Sequence, residues 1–380
     1  MTAADAYIDS LQLFGMQFGL DRMRGLLDRL GHPEQEFDAI HVVGTNGKGS
    51  TTLFCEALLL AEGVRAGAYL SPHLTSFTER IRIGGREIDA AAYEEAVLRV
   101  REAVGRDVTQ FEALTGAAFA AFAAAGAEWA VVEAGLGGRL DATNVLARSR
   151  VQVLTNVSLE HTELLGDTRE AIAAEKTAVV PPGGAVVIGE AGWEGFVPQA
   201  RTVRQVTVAG TYQDQNRAVA QAAVELALGH AVDPAPMRAV TVPGRMQVRG
   251  RDPLEIWDGA HNPAGMQRLV AELPGLVGER RCVAVLSTLG EKDVRGMVDL
   301  LRAVCPTIVA TQSTNSRAMP ADTLGGITGG PAEPDPVAAR ERAIALAGRS
   351  GAVVICGSLY LLHDLTTRLA GAGTPPAPVH

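Results

Sequence analysis

The sequence predicts an α/β protein of two domains. Short apolar runs alternate with helical stretches, which is the pattern of a largely parallel sheet with helices on its faces. The alternation pauses near residues 242–246 and then starts again, and 380 residues are enough for two domains. We expect a first domain over residues 1–244 and a smaller, Rossmann-like α/β domain over residues 245–380.

The individual elements follow from the same pattern. The predicted strands cover residues 40–43, 66–70, 129–133 and 151–155 in the first domain and 254–257, 282–286, 307–310 and 352–356 in the second. Residues 50–62 predict the helix that follows the first strand, and Gly63 ends it. Asp167 and Glu170 have a spacing similar to that of a capping box and predict the start of a later helix.

Composition argues against several classes of protein. No apolar run reaches the roughly 18 residues of a membrane helix, and the first nine residues lack the basic and apolar regions of a signal peptide. The net charge of −9 argues against a nucleic-acid partner. The four cysteines are isolated in sequence, which favours a reducing compartment. We expect a cytoplasmic monomer that acts on small molecules.

A glycine-rich loop, Gly-Thr-Asn-Gly-Lys-Gly-Ser at residues 44–50, lies between the first strand and its helix. Backbone N–H groups of such a loop, with the helix N-terminus, bind phosphates, and Lys48 is placed to reach the terminal ones. Lys48 is also one of only three lysines among 34 basic residues, which suggests that an amine is needed. The spacing departs from the standard P-loop, and a purely structural turn is the alternative. The context favours a P-loop ATPase domain.

Further polar residues stand where predicted strands end. Glu133 ends one strand, and Ser71 and His161 lie just beyond two others. Because ligands of open parallel sheets bind at the carboxyl ends of the strands, these side chains predict Mg²⁺ beside the phosphates. Lys176 is either a helix-surface residue or an amine near the metal ions, where it could add CO₂ to form a carbamate. For the other three, a solvated or structural role is the alternative.

Two other segments have a bearing on the function. Residues 258–263, Asp-Gly-Ala-His-Asn-Pro, follow a strand of the second domain and are either a turn or polar groups that face an interdomain cleft. The Gly-Leu-Gly-Gly at residues 135–138 precedes a turn-like segment rather than a helix, so a dinucleotide site is not expected.

Taken together, these segments resemble the folylpolyglutamate synthase and dihydrofolate synthase family, which is related to the Mur ligases. The resemblance covers most of the chain, and its motifs lie at residues 14–22, 44–50, 71–74, 77–80, 133–144, 161–162, 175–176, 258–263 and 357–361. It implies an ATP-dependent ligase that converts a carboxylate to an acyl phosphate. The amine of L-glutamate then attacks, with release of ADP and phosphate. The implied acceptors are dihydropteroate, a reduced folate such as tetrahydrofolate, or both.

The resemblance also implies roles for particular residues. The residues around the ATP phosphates are Asn46, Gly47, Lys48, Gly49 and Ser50, and the further ATP contacts are Asn216, Arg245 and Asp258. One Mg²⁺ is bound by Ser71 and Glu133, and a second by His161 with a carbamate on Lys176. The residues implicated in the use of glutamate are His261 and Ser358. The residues around the pteroate are Thr109, Phe111, Leu140, Asp141 and Ala142. The implied catalytic residues are Lys48, Lys176, His161, Arg245 and His261.

Two other functions are open at this point. A Mur-type ligase acting on another carboxylate would share the loop, although residues 14–22 favour the folate-related family. A P-loop kinase or nucleotide-binding module would need neither the segment at residues 258–263 nor the second domain.

Overall fold

The computed structural model describes residues 2–11, 19–290 and 293–371. The chain divides into two compact units, Met1–Val240 and Thr241–His380. This division lies close to residue 244, where the sequence pattern predicts the boundary. Residues 14–18 of the motif at 14–22 lie outside the described residues, and so does Lys292, the third of the three lysines.

The first unit is built on an eight-stranded sheet. Its strands are β1 (Asp38–Val43), β2 (Ala66–Tyr69), β3 (Ile81–Ile83), β4 (Arg86–Glu87), β5 (Trp129–Glu133), β6 (Ser149–Leu154), β7 (Ala185–Ile188) and β8 (Thr202–Gln205). They lie in the order β4-β3-β2-β5-β1-β6-β7-β8, and only the β2–β3 and β3–β4 pairs are antiparallel. The central strands are apolar on both faces because helices cover both sides of the sheet.

The helices of the first unit are α1 (Ala3–Ser10), α2 (Asp21–Leu30), α3 (Lys48–Ala61), α4 (Ala90–Val104), α5 (Gln110–Ala124), α6 (Thr162–Leu165), α7 (Arg169–Thr177) and α8 (Tyr212–Leu228). Helices α1, α2, α4 and α5 pack together around a core that includes Leu26, Phe119 and Phe122. Helix α3 packs on α8. With all but two of its strand pairs parallel, the sheet confirms the prediction of a mostly parallel sheet.

The second unit is a five-stranded sheet with helices. Its strands are β9 (Gln247–Arg251), β10 (Leu254–Trp257), β11 (Cys282–Leu286), β12 (Thr307–Ala310) and β13 (Ala352–Cys356), in the order β12-β11-β13-β10-β9. Only β9 runs antiparallel to its neighbour. Its helices are α9 (Pro263–Val277), α10 (Val294–Arg302), α11 (Ala321–Thr328), α12 (Pro336–Ala347) and α13 (Leu359–Gly371). In the described parts of both units, no helix is long and apolar enough to cross a membrane.

Two helix starts differ from the sequence-based prediction. Helix α3 begins at Lys48 rather than at residue 50, because Gly47 adopts a left-handed conformation and is its N-cap. Helix α7 is capped by Thr168 rather than by Asp167, since the Thr168 hydroxyl accepts a hydrogen bond from the N–H of Ala171.

Candidate functional site

The carboxyl ends of four parallel strands meet at one edge of the first sheet. β2, β5, β1 and β6 are neighbours in that order, and Val42 of β1 pairs with Glu133 of β5. The segments that leave these strands begin at Leu70, Ala134, Gly44 and Thr155. The sheet thus brings the glycine-rich loop together with Ser71, Glu133 and the segment after β6.

The loop at residues 44–50 has the form of a phosphate cradle. Helix α3 starts within it, and its N-cap, Gly47, has no side chain to satisfy the first N–H groups of the helix. Gly44 and Gly47 both have positive φ angles, of 145° and 85°. A Cβ on Gly44 would lie 1.9 Å from Oγ1 of Thr155, and one on Gly47 would lie 2.5 Å from Oδ1 of Asn216. The loop therefore requires glycine at both positions, and Asn216, an ATP contact implied by the resemblance, lies against it.

Residues after β6 hold the loop from the other side. Asn156 accepts a hydrogen bond from the N–H of Asn46 at 3.2 Å and donates to its carbonyl at 2.6 Å. The hydroxyl of Thr155 donates to the same carbonyl at 2.8 Å. Ser158 N–H donates to the hydroxyl of Thr45 at 3.0 Å. No sequence motif marks Thr155, Asn156 or Ser158 as functional, although their position directly after a strand is a usable signal.

Two lysines converge on one carbonyl oxygen. Nζ of Lys48 and Nζ of Lys176 each donate to the carbonyl of Gly44 at 3.0 Å. Lys176 also forms an ion pair with Glu160 at 2.9 Å, and its side chain is 1 % exposed. The interpretation of Lys176 as a helix-surface residue is therefore wrong. Glu160 was missed, although it stands beside His161 in the segment that follows β6.

The surroundings change the pKa values of this pair. Burial lowers the pKa of Lys176, which the attraction of Glu160 opposes and the charge of Lys48 reinforces. Burial alone would raise the pKa of Glu160, but Lys176, Lys48 and His161 outweigh it, so that this pKa is lowered overall. The carboxylate is thus held ionised, while the amine loses its proton more easily than an exposed lysine does.

Glu133 and Ser71 form the part of the site that fits a divalent cation. Oε2 of Glu133 accepts the N–H of Ser71 at 3.0 Å, and it would lie 3.3 Å from a Cβ on Gly49 in the loop. A carboxylate and a hydroxyl beside a phosphate cradle are the donors that Mg²⁺ prefers. His161 is exposed and near Glu160 rather than in a preformed cage. Within the described residues, no three His, Cys, Asp or Glu side chains cluster as a metal site.

The predicted pteroate residues lie on α5 and on the loop after β5. The Phe111 ring packs on Tyr69, with centroids 5.9 Å apart, and on Gly135, whose Cβ would lie 2.6 Å from the ring. Thr109 is the N-cap of α5. On the loop, Leu140 is 43 % exposed, whereas Asp141 and Ala142 are buried. Burial raises the pKa of Asp141, with hydrogen bonds from the loop opposing this effect.

In the second unit, Asp258 organises two backbone segments. Its carboxylate accepts the N–H groups of Met246 and Ala260, each at 2.8 Å. A guanidinium nitrogen of Arg245 occupies the space beside Gly259, 2.2 Å from where a Cβ would be. Nδ1 of His261 is 3.0 Å from the Gly259 carbonyl, and the buried Ser358 hydroxyl accepts the N–H of Tyr360. Arg245, Asp258 and His261 thus lie in one neighbourhood, and Ser358 follows β13, the strand that neighbours β10.

Both units match known protein families. Residues 42–229 match the family described as Mur ligase middle domain, and residues 244–359 match the Mur ligase, glutamate ligase domain. The chain is 32 % identical to the dihydrofolate synthase/folylpolyglutamate synthase of Escherichia coli (strain K12), over 93 % of this chain and 92 % of that protein.

Solved structures are similar along nearly the whole chain. The Escherichia coli FolC structure in complex with DHPP and ADP has a TM-score of 0.89 and 27 % identity, and covers 97 % of both chains. A bifunctional folylpolyglutamate synthase/dihydrofolate synthase with Mn, AMPPNP and L-glutamate bound has a TM-score of 0.88 and 29 % identity. It covers 97 % of this chain and 98 % of that one.

Proposed function

Because the chain belongs to the dihydrofolate synthase/folylpolyglutamate synthase family of Mur ligases, we propose that it joins L-glutamate to dihydropteroate and to reduced folates at the expense of ATP. A carboxylate oxygen of the acceptor attacks the γ-phosphorus of ATP, and ADP leaves. The glutamate amine then attacks the acyl carbon and loses a proton, and phosphate leaves with the former carboxylate oxygen. The bound ligands of the two similar structures, which include ADP, AMPPNP, DHPP and L-glutamate, support this reaction.

One observation carries the proposal for the first unit. The amines of Lys48 and Lys176 meet at the carbonyl of Gly44, in the loop that leads into the N-terminus of α3. Both phosphoryl transfer and amide formation concentrate negative charge on phosphate oxygens. The Lys48 ammonium and the N–H groups of the helix start are fixed in advance where that charge develops, and the carbamate proposed below for Lys176 would act through a bound divalent cation rather than as a positive charge. Asn216, beside Gly47, adds a polar contact for the nucleotide.

The donor set supports a divalent cation at Ser71 and Glu133. Mg²⁺ bound there would neutralise phosphate charge during the transfer. The Glu133 carboxylate is buried and held by the N–H of Ser71, so it is oriented before any ion binds. We retain His161, near Glu160, as a ligand of a second Mg²⁺.

We also retain the proposal that Lys176 carries a carbamate. Addition of CO₂ needs the neutral amine, and burial favours that form of Lys176. The amine attacks CO₂ and loses a proton, which gives an N-linked carboxylate next to Glu160, the residue that precedes His161. A lysine in this buried position, in a chain that otherwise uses arginine, is consistent with a role that arginine cannot fill.

The acceptor region supports a broad range of substrates. Phe111 is partly exposed, and its ring is held by Tyr69 and Gly135, so it offers a fixed aromatic surface at the start of α5. Stacking depends on shape more than on hydrogen-bond pattern, so the same ring would bind oxidised and reduced pterins.

In the second unit, we propose that Arg245 and Asp258 contact ATP. His261 and Ser358 are proposed to take part in the use of glutamate.

An assay of the two acceptors tests this function. Purified protein is supplied with ATP, Mg²⁺ and L-glutamate, and products are separated by mass with dihydropteroate or tetrahydrofolate as acceptor. We expect a glutamylated product from each, with equal amounts of ADP. Product from tetrahydrofolate alone would reduce the function to polyglutamate synthesis, whereas ADP without product from either acceptor would favour a different Mur-type substrate.

A further inference from the structure

A buried chain of hydrogen bonds connects β1 to the loop at residues 134–144. Nε2 of His41 lies 2.8 Å from the hydroxyl of Thr143, and that hydroxyl lies 2.5 Å from Oδ1 of Asp141. His41 is 1 % exposed, Thr143 is fully buried and Asp141 is 6 % exposed. His41 is on the strand that leads into the phosphate loop, and Asp141 is on the loop that carries the predicted acceptor contacts.

The hydrogen-bond donors around the Asp141 carboxylate fix the positions of the protons along this chain of hydrogen bonds. Oδ1 of Asp141 also accepts the N–H of Thr143 at 3.0 Å, and Oδ2 accepts the N–H of Leu136 at 2.7 Å. Because this carboxylate is surrounded by donors, the single proton of the Thr143 hydroxyl points to it. The hydroxyl oxygen is then the acceptor for His41, which must carry its proton on Nε2.

Asp141 accepts hydrogen bonds from Leu136 and Thr143 and so closes the loop, which also contacts α5 and α7. The first glycine of the loop, Gly135, lies against the ring of Phe111. Farther along, Arg139 N–H donates to the Glu175 carbonyl of α7 at 3.1 Å, one residue before Lys176. The conformation of this loop thus sets the position of the aromatic surface on one side and of the α7 backbone on the other.

We propose that His41 and Thr143 are positioning residues for the acceptor. Through Asp141 they hold the loop in the one conformation in which Leu140, Ala142 and Phe111 surround the acceptor ring system. His41 and Thr143 are not proposed to contact the reacting atoms. The proposal rests on the proposed function, because it assigns the loop to the folate or pteroate acceptor.

Thr143 offers a matched pair of variants. Thr143→Val keeps the shape of the side chain but removes the hydroxyl, which leaves His41 Nε2 and Asp141 each without one partner. Thr143→Ser keeps the hydroxyl. We expect the valine variant to raise the KM for dihydropteroate about tenfold, with the KM for ATP changed less than about twofold, and the serine variant to stay close to wild type. Rates are measured well below the Tm of each variant, so that lost stability alone would not shift KM.

The outcomes separate this inference from the proposed function. An active wild type with a Thr143→Val variant of unchanged acceptor KM, or a Thr143→Ser variant as impaired as valine, overturns the positioning role. A wild type that forms no product from either acceptor overturns the proposed function instead.

A second measurement applies if the valine variant does not fold. Nitrogen-15 NMR of histidine-labelled wild type, with the His41 signal assigned by His41→Gln or by through-space contacts to β1, reports the tautomer directly. We expect neutral His41 with its proton on Nε2 at neutral pH. A proton on Nδ1 alone would contradict the hydrogen-bond chain.

Discussion

At the scale of the residue, the most informative feature is the pair of amines on the Gly44 carbonyl. Both lysines are candidates from the sequence, since Lys48 lies in a recognisable loop and Lys176 is one of three lysines in the chain, but their meeting at one carbonyl was not predicted. The sequence did not predict Glu160, because an ion pair across 16 positions depends on how the segment after β6 folds back onto α7. It also did not reveal that Asp141 is held by Thr143 and His41, since His41 lies inside an ordinary apolar strand.

Removal of the Lys48 amine should abolish most turnover. Lys48→Ala deletes a fixed positive charge at the phosphate loop, and loss of one such contact commonly raises the barrier by about 3 kcal/mol. Turnover should therefore fall by roughly two orders of magnitude, with circular dichroism and Tm close to wild type. Near-normal turnover in the folded variant would remove Lys48 from the mechanism.

Lys176 should fail when replaced by arginine. Lys176→Arg keeps a cation beside Glu160 but cannot form a carbamate, so we expect activity to be lost. Because the buried site of Lys176 leaves little room for the bulkier arginine side chain, Lys176→Ala is used as a second variant. Short carboxylates such as acetate should partly restore the activity of Lys176→Ala. Carbon-13 NMR of wild type with labelled bicarbonate should show a carbamate signal that both variants lack. An active arginine variant, or no carbamate signal in wild type, would argue for a simple ion pair.

Stability should depend on the protonation of His41. Burial lowers its pKa to about 4 from the usual 6.5, so between these values the unfolded chain binds the proton more readily. The contribution of neutral His41 is therefore complete above pH 6.5 and is lost progressively as the pH falls towards 4. The lost stability is on the order of 3 kcal/mol. Urea unfolding across this range should show a shallower fall for His41→Gln than for wild type, and identical slopes would contradict the assignment.

At the scale of the element, most strands with apolar runs were predicted and the polar strands near the sheet edges were not; the apolar strand β7 (Ala185–Ile188) was also missed. The strands β1, β2, β5 and β6 were predicted within two residues of their observed ends. By contrast, β3, β4 and β8 contain arginines and lie towards the edges of the sheet, where one face or the outer hydrogen-bonding side meets water. Such strands lack the continuous apolar run of a central parallel strand, so the sequence pattern does not mark them.

The contact between Gly135 and Phe111 can be tested by one methyl group. A Cβ on Gly135 would lie 2.6, 2.9 and 3.0 Å from three ring atoms of Phe111, so Gly135→Ala must displace the ring. We expect the KM for dihydropteroate to rise about tenfold because a fixed aromatic surface is lost, with the KM for ATP unchanged.

Gly25 on α2 provides the matched control. No atom lies within 4 Å of its Cβ position, so Gly25→Ala adds a methyl group without a clash. It should raise the free energy of unfolding by about 1 kcal/mol through helix propensity and leave both KM values unchanged. An unaltered acceptor KM in Gly135→Ala would separate Phe111 from acceptor binding.

At the scale of the whole molecule, the order of the motifs is more informative than any one of them. The loop at residues 44–50 alone is compatible with several nucleotide-binding functions. Its combination with Glu133, Lys176 and the segment at residues 258–263 singles out one family, which the matches over both units confirm. No single motif indicates the preferred acceptor, because under the proposed function acceptor choice depends on the three-dimensional arrangement of contacts around Phe111 and Asp141.

The central claim is that the acceptor carboxylate is activated by phosphoryl transfer before glutamate attacks. The measurement that tests it most directly uses dihydropteroate labelled with oxygen-18 in its carboxylate, with ATP, Mg²⁺ and L-glutamate in ordinary water. We expect each phosphate released during amide formation to carry one labelled oxygen. Unlabelled phosphate accompanying the glutamylated product would contradict the claim.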